Sequence, residues 1–234
     1  MTTKKEEKPL YLGHRERLKD RFLKDNGVSM PDYEFLELLL TFAIPRRDVK
    51  DDAKKLLTKF GSLNNLLTAP KMQLEECGLS QNTISLFKVI LALFKRLTFS
   101  RIKETHNAIF THFDYVLDYC KASIADAQVE EFHVMMLDKK LQLIEDKLIQ
   151  KGSIDEVPVY TRDVVKAILE AHATSVVLYH NHPSGNCSPS KDDIARTKEI
   201  SEALRPLNIK LCDHIIISKD NYFSFHDNKL IDFI

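Results

Sequence analysis

The stretch LYHNHPSGNCSPSKDD, from Leu178 to Asp193, holds His180, His182, Cys187, Asp192 and Asp193. All of them can bind metal or move protons. The run TSVVLY before it is apolar and β-branched, the composition of a buried strand. Side chains two apart in extended backbone point to the same side. His180 and His182, at the end of that strand, can therefore reach one ion. Pro183 and Gly185 force a turn. A helix that starts near Ser188, Pro189 or Ser190 puts Asp193 in its first turn, folded back beside the strand end. Two imidazoles and one carboxylate make a three-ligand site with an open fourth position, the form of a catalytic zinc site rather than a closed structural one. Zinc brings the pKa of its water to about 7, and a carboxylate base nearby would complete a hydrolase. A plainer reading fits the same residues. Ser190-x-x-Asp193 has the spacing of a capping box with Asp in place of Glu, and the histidines would then belong to a polar surface turn. Cys187 reads as a loop thiol, although a thiolate is also a soft ligand.

The elements that must hold this stretch alternate. TRDVVKAILEAHA before the strand and SKDDIARTKEISEAL after it have helical patterns. FHVMML and LQLIED flank Asp138-Lys139-Lys140 and predict a β-hairpin. IKLCDHIIIS and YFSF follow as strands. This order predicts a sheet layered with helices. The first half of the chain has no β-alternating stretch. Pro31 starts a helix behind Ser29, Asp48 can cap a second, Gly61 stops it and Ser62 caps the next. A tight turn at Cys77-Gly78-Leu79-Ser80 separates two more helices. Residues 100–107, SRIKETHN, are polar and predict a linker. The fold class expected is α+β, with a sheet domain of α/β type: an all-helical domain over 1–107, with a short N-terminal arm, then a sheet-and-helix domain over 108–234.

The chain has 234 residues, 44% hydrophobic and 29% charged, the balance of a globular protein. Its apolar runs are too short or too interrupted by charge to span a membrane. The first residues carry charges with no apolar core behind them, so no secretory signal and a cytoplasmic location are expected. Four cysteines without framework spacing are expected to be reduced thiols. Net charge is zero, yet residues 1–107 hold 20 Lys and Arg against 14 Asp and Glu, a balance of +6, and residues 108–234 carry the matching −6. A basic half can attract polyanions.

HNHPSGNCSPSKDD resembles the JAMM metalloprotease signature: His-x-His, seven residues, Ser, two residues, Asp. With DIARTKEISEALRPLNIKLCDHIII after it, and GHRERLKDRF, FLELLLTFAIPRRDVKDDAKKLLTKFGSL and EEFHVMMLDKKLQLI before it, the chain resembles the RadC family from about Leu12 to Phe225. The resemblance implies an MPN-type fold for residues 108–234, with zinc held by His180, His182 and Asp193. It implies a glutamate general acid/base on the segment Glu130-Glu131-Phe132-His133-Val134, where Glu130 fits the pattern and Glu131 is the runner-up. It implies that Ser190 steadies a developing oxyanion. Both glutamates could instead be a solvated charge pair at a strand start, and Ser190 could cap its helix. The family's Pro-Arg-Glu before the histidine strand is Thr161-Arg162-Asp163 here, which puts any role of that segment in doubt. Asp213-His214 matches the family's Asp-His and reads as a buried, hydrogen-bonded pair without an assigned zinc role.

The first half resembles the RadC N-terminal region, which is similar to helix-hairpin-helix modules. Those bind DNA backbone through the amides of a Gly-x-Gly hairpin. Here the hairpin would be Gly78-Leu79-Ser80, with serine for the second glycine, and Phe60-Gly61-Ser62 its companion turn. Lys59, Lys71, Lys88, Arg15, Arg17 and Arg21 could add phosphate contacts. The leading expectation is a zinc-dependent hydrolase of peptide or isopeptide bonds. The alternatives are a DNA-binding, repair-associated protein with weak, sequence-independent and salt-sensitive affinity in residues 1–107, and an interaction scaffold whose metal is structural.

Overall fold

A computed structural model describes residues 10–104, 113–152, 159–219 and 221–230. The elements follow in chain order as α1 (Leu10–Asp25), α2 (Asp32–Ala43), α3 (Lys50–Phe60), α4 (Leu63–Thr68), α5 (Lys71–Glu76), α6 (Gln81–Glu104), α7 (Phe113–Ile124), β1 (Glu131–Leu137), β2 (Leu143–Lys151), α8 (Thr161–Glu170), β3 (Ser175–Asn181), α9 (Lys191–Leu204), β4 (Lys210–Ile217) and β5 (Tyr222–Ser224). A helical region followed by a mixed five-stranded sheet with helices is the α+β class expected. No described helix is long and apolar enough to cross a membrane.

Two compact units divide within α6, after Leu93. In the first, α2 to α6 close around Leu36, Leu40, Ala53, Leu56, Leu66, Leu74 and Phe87. The expected cap of α3 by Asp48 is not formed: the N-cap is Val49 without a side-chain bond, and Asp48 accepts the Lys50 N–H at 2.9 Å, while the turn after α3 is built as its residues predict. Gly61 ends α3 in the left-handed region at φ +79, where a Cβ is disfavoured. Ser62 caps α4 by accepting the Asn65 N–H at 3.1 Å.

The second unit has a sheet of order β2-β1-β3-β4-β5. β1 is antiparallel to β2 and β3, and β3 is parallel to β4. The β1–β2 hairpin is closed by Asp138, whose Oδ1 accepts the N–H groups of Lys140 and Gln142 at 2.8 and 2.9 Å. Helices cover both faces, as the continuous apolar run of β3 requires. Val177 and Tyr179 meet α7 on one face. Val176 and Leu178 meet α8 and α9 on the other. Each such side chain, wholly buried, contributes about 1.5–3 kcal/mol. Residues 100–104, expected in a linker, instead form the end of α6. Ile102, the apolar residue of that polar run, packs with Phe99 into the core beside α7. Residues 105–107 of the expected linker lie outside the described residues.

One irregularity decides what reaches the site. Val176 pairs with Leu211 but Val177 pairs with Asp213, so Cys212 is an extra residue, a β-bulge. The bulge re-phases β4: Leu178 pairs with His214, and His214 joins the α8/α9 face that carries His180.

Candidate metal centre

His180 is the penultimate residue of β3, and His182 extends the strand by one more ladder bond, from its N–H to the Ile217 carbonyl at 2.8 Å. The backbone then turns through Gly185, at φ +87, whose N–H returns to the His182 carbonyl at 3.1 Å. Ser190 caps α9, and Asp193 is its third residue. The two imidazoles stand on one side of the chain as period-two geometry demands, with Nε2 atoms 3.0 Å apart. Asp193 meets both: Oδ1 lies 3.1 Å from His180 Nε2 and Oδ2 lies 3.4 Å from His182 Nε2. His180 and Asp193 are buried, and His182 is half-buried. Cys187 is half-buried in the turn and outside this group, and Asp192 is exposed.

Proton positions follow from the partners of the remote ring atoms. His182 Nδ1 lies 2.7 Å from the Asn186 carbonyl, which can only accept, so Nδ1 carries the proton and Nε2 presents a lone pair. His180 Nδ1 lies 2.8 Å from His214 Nε2. Two imidazole nitrogens and a carboxylate thus converge, a group compatible with a metal site. Contact with Asp193 raises the His182 pKa, against desolvation, with help from the Asn186 carbonyl and the Glu130 carboxylate. Burial pushes the Asp193 carboxyl up, but the His180, His182 and Ser190 contacts outweigh it and hold it well below the usual carboxylate range. Burial, reinforced by His180, keeps His214 neutral, its pKa well below the ordinary value. The donor set fits a divalent transition metal with borderline-soft preferences.

A family model described as a RadC-like JAB domain matches residues 110–230, more than half of the chain. The chain belongs to the RadC family. The RadC-like JAB assignment goes with the MPN-type architecture of the sheet unit and with a buried His180-His182-Asp193 group compatible with a metal site.

The two adjacent glutamates of this RadC chain go to different faces. Phe132 pairs with His180 across β1 and β3, and their rings stack at 6.0 Å. Phe132 is therefore on the face that carries His180, and period-two alternation sends Glu131 to the opposite face. There Glu131 binds Lys151 Nζ at 2.7 Å and lies 3.5 Å from His133 Nε2. Glu130, just before β1 and half-buried, acts electrostatically on His182. Asn181, between the two histidines, is wholly buried and points away from them. Its Oδ1 accepts the Glu131 N–H at 2.8 Å, and its Nδ2 donates to the carbonyls of Val129 and Ala127 at 3.1 and 3.4 Å. These bonds bracket Glu130. Nothing in residue type alone marks Asn181, whose role depends on strand pairing.

Ser190 forms the full capping box with Asp193. Its hydroxyl proton goes to Asp193 Oδ2 at 2.7 Å, so in this arrangement it holds the carboxylate. Asp213 and His214 are both buried, and they face opposite sides of the sheet. Asp213 accepts from Ser224 Oγ and from the N–H groups of His214 and His226 at 2.7, 2.7 and 2.9 Å.

In the helical unit, a cleft of about 530 Å³ is lined by Arg46, Arg47, Lys55, Lys59 and Asp52 together with the turn Cys77–Ser80, and Arg47 pairs with Asp52 at 2.7 Å. Of the cations expected to meet phosphate, Lys59 lines this cleft. Arg21 pairs with Glu34 at 2.6 Å and Lys71 with Glu75 at 3.5 Å. Lys88 donates to the Leu67 and Ala69 carbonyls at 3.3 and 2.8 Å. Arg15 donates to the carbonyls of Ile44, Pro45 and Arg47. Those contacts brace the fold.

Proposed function

We propose that this chain is a zinc-dependent hydrolase of peptide or isopeptide bonds. The observation that carries the reading is the convergence of the His180 and His182 Nε2 lone pairs with the Asp193 carboxylate, on the sheet face that Glu130 adjoins. His180, His182 and Asp193 would hold the ion. When bound, zinc supplies Lewis acidity toward a carbonyl oxygen and acidifies a water. Glu130 acts as general base and acid: its carboxylate takes a proton from the attacking water and returns it to the leaving nitrogen. Such transfer contributes about 10²–10⁴ in rate. The Asn181 bonds hold the backbone on either side of Glu130 and so restrict where that carboxylate can stand. Ser190 fixes Asp193. It can give its proton to an oxyanion only by releasing the carboxylate.

The test has two stages. Zinc content per chain is measured by plasma mass spectrometry for wild type and His182→Ala. Bound zinc in wild type, lost in the variant, supports the site, whereas no uptake by wild type removes it. Glu130→Gln is then compared with wild type on a panel of peptide and isopeptide substrates. Retained zinc with lost turnover is expected, and full turnover would exclude Glu130 as the base.

A second reading, weak DNA-backbone binding, is favoured by Arg46, Lys55 and Lys59, which share one cleft with the Gly78 turn. It predicts that the full chain binds duplex DNA of any sequence, with affinity that falls steeply with salt. Charge reversal at Arg46 and Lys59 would abolish that binding. Absence of binding in low salt would exclude it.

A further inference from the structure

His180 does not donate its second ring nitrogen to a carbonyl or carboxylate, the usual partner of a metal-binding histidine. It faces His214, and behind His214 stands Thr197 of α9, with Oγ1 2.7 Å from His214 Nδ1. All three side chains are buried, His180 and His214 at 1% exposure and Thr197 at 0%. No proton in this chain is free to choose. The Asp193 main-chain carbonyl can only accept, so the single hydroxyl proton of Thr197 goes to it. Thr197 Oγ1 is then left as an acceptor, and His214 must carry its proton on Nδ1. His214 Nε2 is therefore bare and accepts from His180 Nδ1–H. The His180 Nε2 lone pair is in turn left facing His182 and Asp193. The His214 ring is held in this orientation by stacking on Phe225 at 4.8 Å and by the edge contact of Phe132 at 5.7 Å.

We propose that Thr197 and His214 are positioning residues that set the tautomer of His180 and so keep its Nε2 open to the metal. This rests on the metal reading above. The chain starts at the backbone of Asp193 and ends on His180, so it ties a ligand from α9 to a ligand from β3 through successive hydrogen bonds. Without the Thr197 hydroxyl, His214 is free to move its proton to Nε2. His180 would then have to accept on Nδ1 and protonate Nε2, and its ligand atom would be closed.

The experiment is zinc affinity of the full-length chain, by competition with a chromophoric chelator, for wild type, Thr197→Val and Thr197→Ser. Thr197→Val nearly conserves shape and removes the hydroxyl; Thr197→Ser keeps it. The expected result is zinc affinity about 10- to 100-fold weaker in Thr197→Val, restored to within a few-fold by Thr197→Ser. Wild-type uptake with undiminished affinity in Thr197→Val overturns the relay and leaves the metal site standing. No uptake by wild type removes the metal reading and this role with it. If Thr197→Val does not fold, ring ¹⁵N NMR of the wild type decides: His214 protonated at Nδ1 and bare at Nε2 is expected, and the opposite tautomer overturns the proposal.

Discussion

Asp193 and Ser190 hold each other by three hydrogen bonds. The Asp193 Oδ2 accepts both the N–H and the hydroxyl of Ser190 at 2.7 Å, and the Asp193 N–H returns to Ser190 Oγ at 3.0 Å. A carboxylate already fixed by its helix loses little freedom on binding a cation. Ser190→Ala breaks the box. It is expected to lower stability by about 1–2 kcal/mol, at the upper end for a lost cap, and to weaken zinc uptake. Urea unfolding checks the first effect and chelator competition the second. Unchanged stability would mean that the box does not hold α9.

Glu131 is expected to serve stability, apart from the acid/base role proposed for Glu130. Burial pushes the Glu131 carboxyl up, but Lys151 and then His133 outweigh it, so its pKa lies below the ordinary 4.5. A depressed carboxyl stabilises the folded state above that ordinary value and loses the effect as pH falls through the folded one. Glu131→Gln should therefore cost stability at neutral pH and nothing at low pH. The cost should be below about 1 kcal/mol, because Lys151 is exposed and screened. Urea titrations at several pH values read the difference. Glu130→Gln should leave stability within about 0.5 kcal/mol of wild type; a large loss would make Glu130 a structural residue.

Asp213 shows the opposite sign. Burial raises its pKa above the ordinary 3.8 despite its three donors. A raised carboxyl contributes most below that ordinary value, and the contribution is lost as pH rises through the folded one. Asp213→Asn keeps an acceptor for the two N–H groups and removes the buried charge. Its stability at pH 7 should stay within about 1 kcal/mol of wild type, with a flatter pH profile. Asp213→Ala orphans three donors at about 1–3 kcal/mol each. Equal stability of the two variants in urea unfolding would show that those donors find other partners.

Asn181 is expected to govern local order next to Glu130. Asn181→Ala leaves the Glu131 N–H and the Val129 carbonyl without partners, at about 1–3 kcal/mol each. Amide exchange of Glu131 should then accelerate well beyond that of the β1 interior. Unchanged exchange would mean that the β1 ladder alone holds this segment.

Much of the candidate metal centre is legible in the sequence because it depends on local geometry. The two-residue step from His180 to His182 and the first-turn position of Asp193 require only a strand, a turn and a helix in that order. Motif fit alone does not tell which faces Glu130 and Glu131 take, since both stand at the start of the same strand; that depends on Phe132 pairing with His180, a register between segments nearly fifty residues apart. His214 was recognisable as buried and hydrogen-bonded, but its link to His180 requires the bulge, and strict alternation gives no sign of it. The polarity of residues 100–104 predicts a linker, yet Ile102 is buried in the core and these residues continue α6.

The bulge at Cys212 also makes β4 a strand in which length and composition are separable. Removing Cys212 would restore plain alternation with Leu211 and His214 still on the α8/α9 side, so a chain one residue shorter could build the same centre. Keeping Cys212 but pairing it directly with Val177 would carry His214 to the far side of the sheet and bring Asp213 to the α8/α9 side in its place. A histidine and an aspartate would then trade environments through a slip of one residue, with no substitution at all. Over evolutionary time, a strand of this kind can gain or lose the contact between His214 and His180 by indel as well as by point mutation.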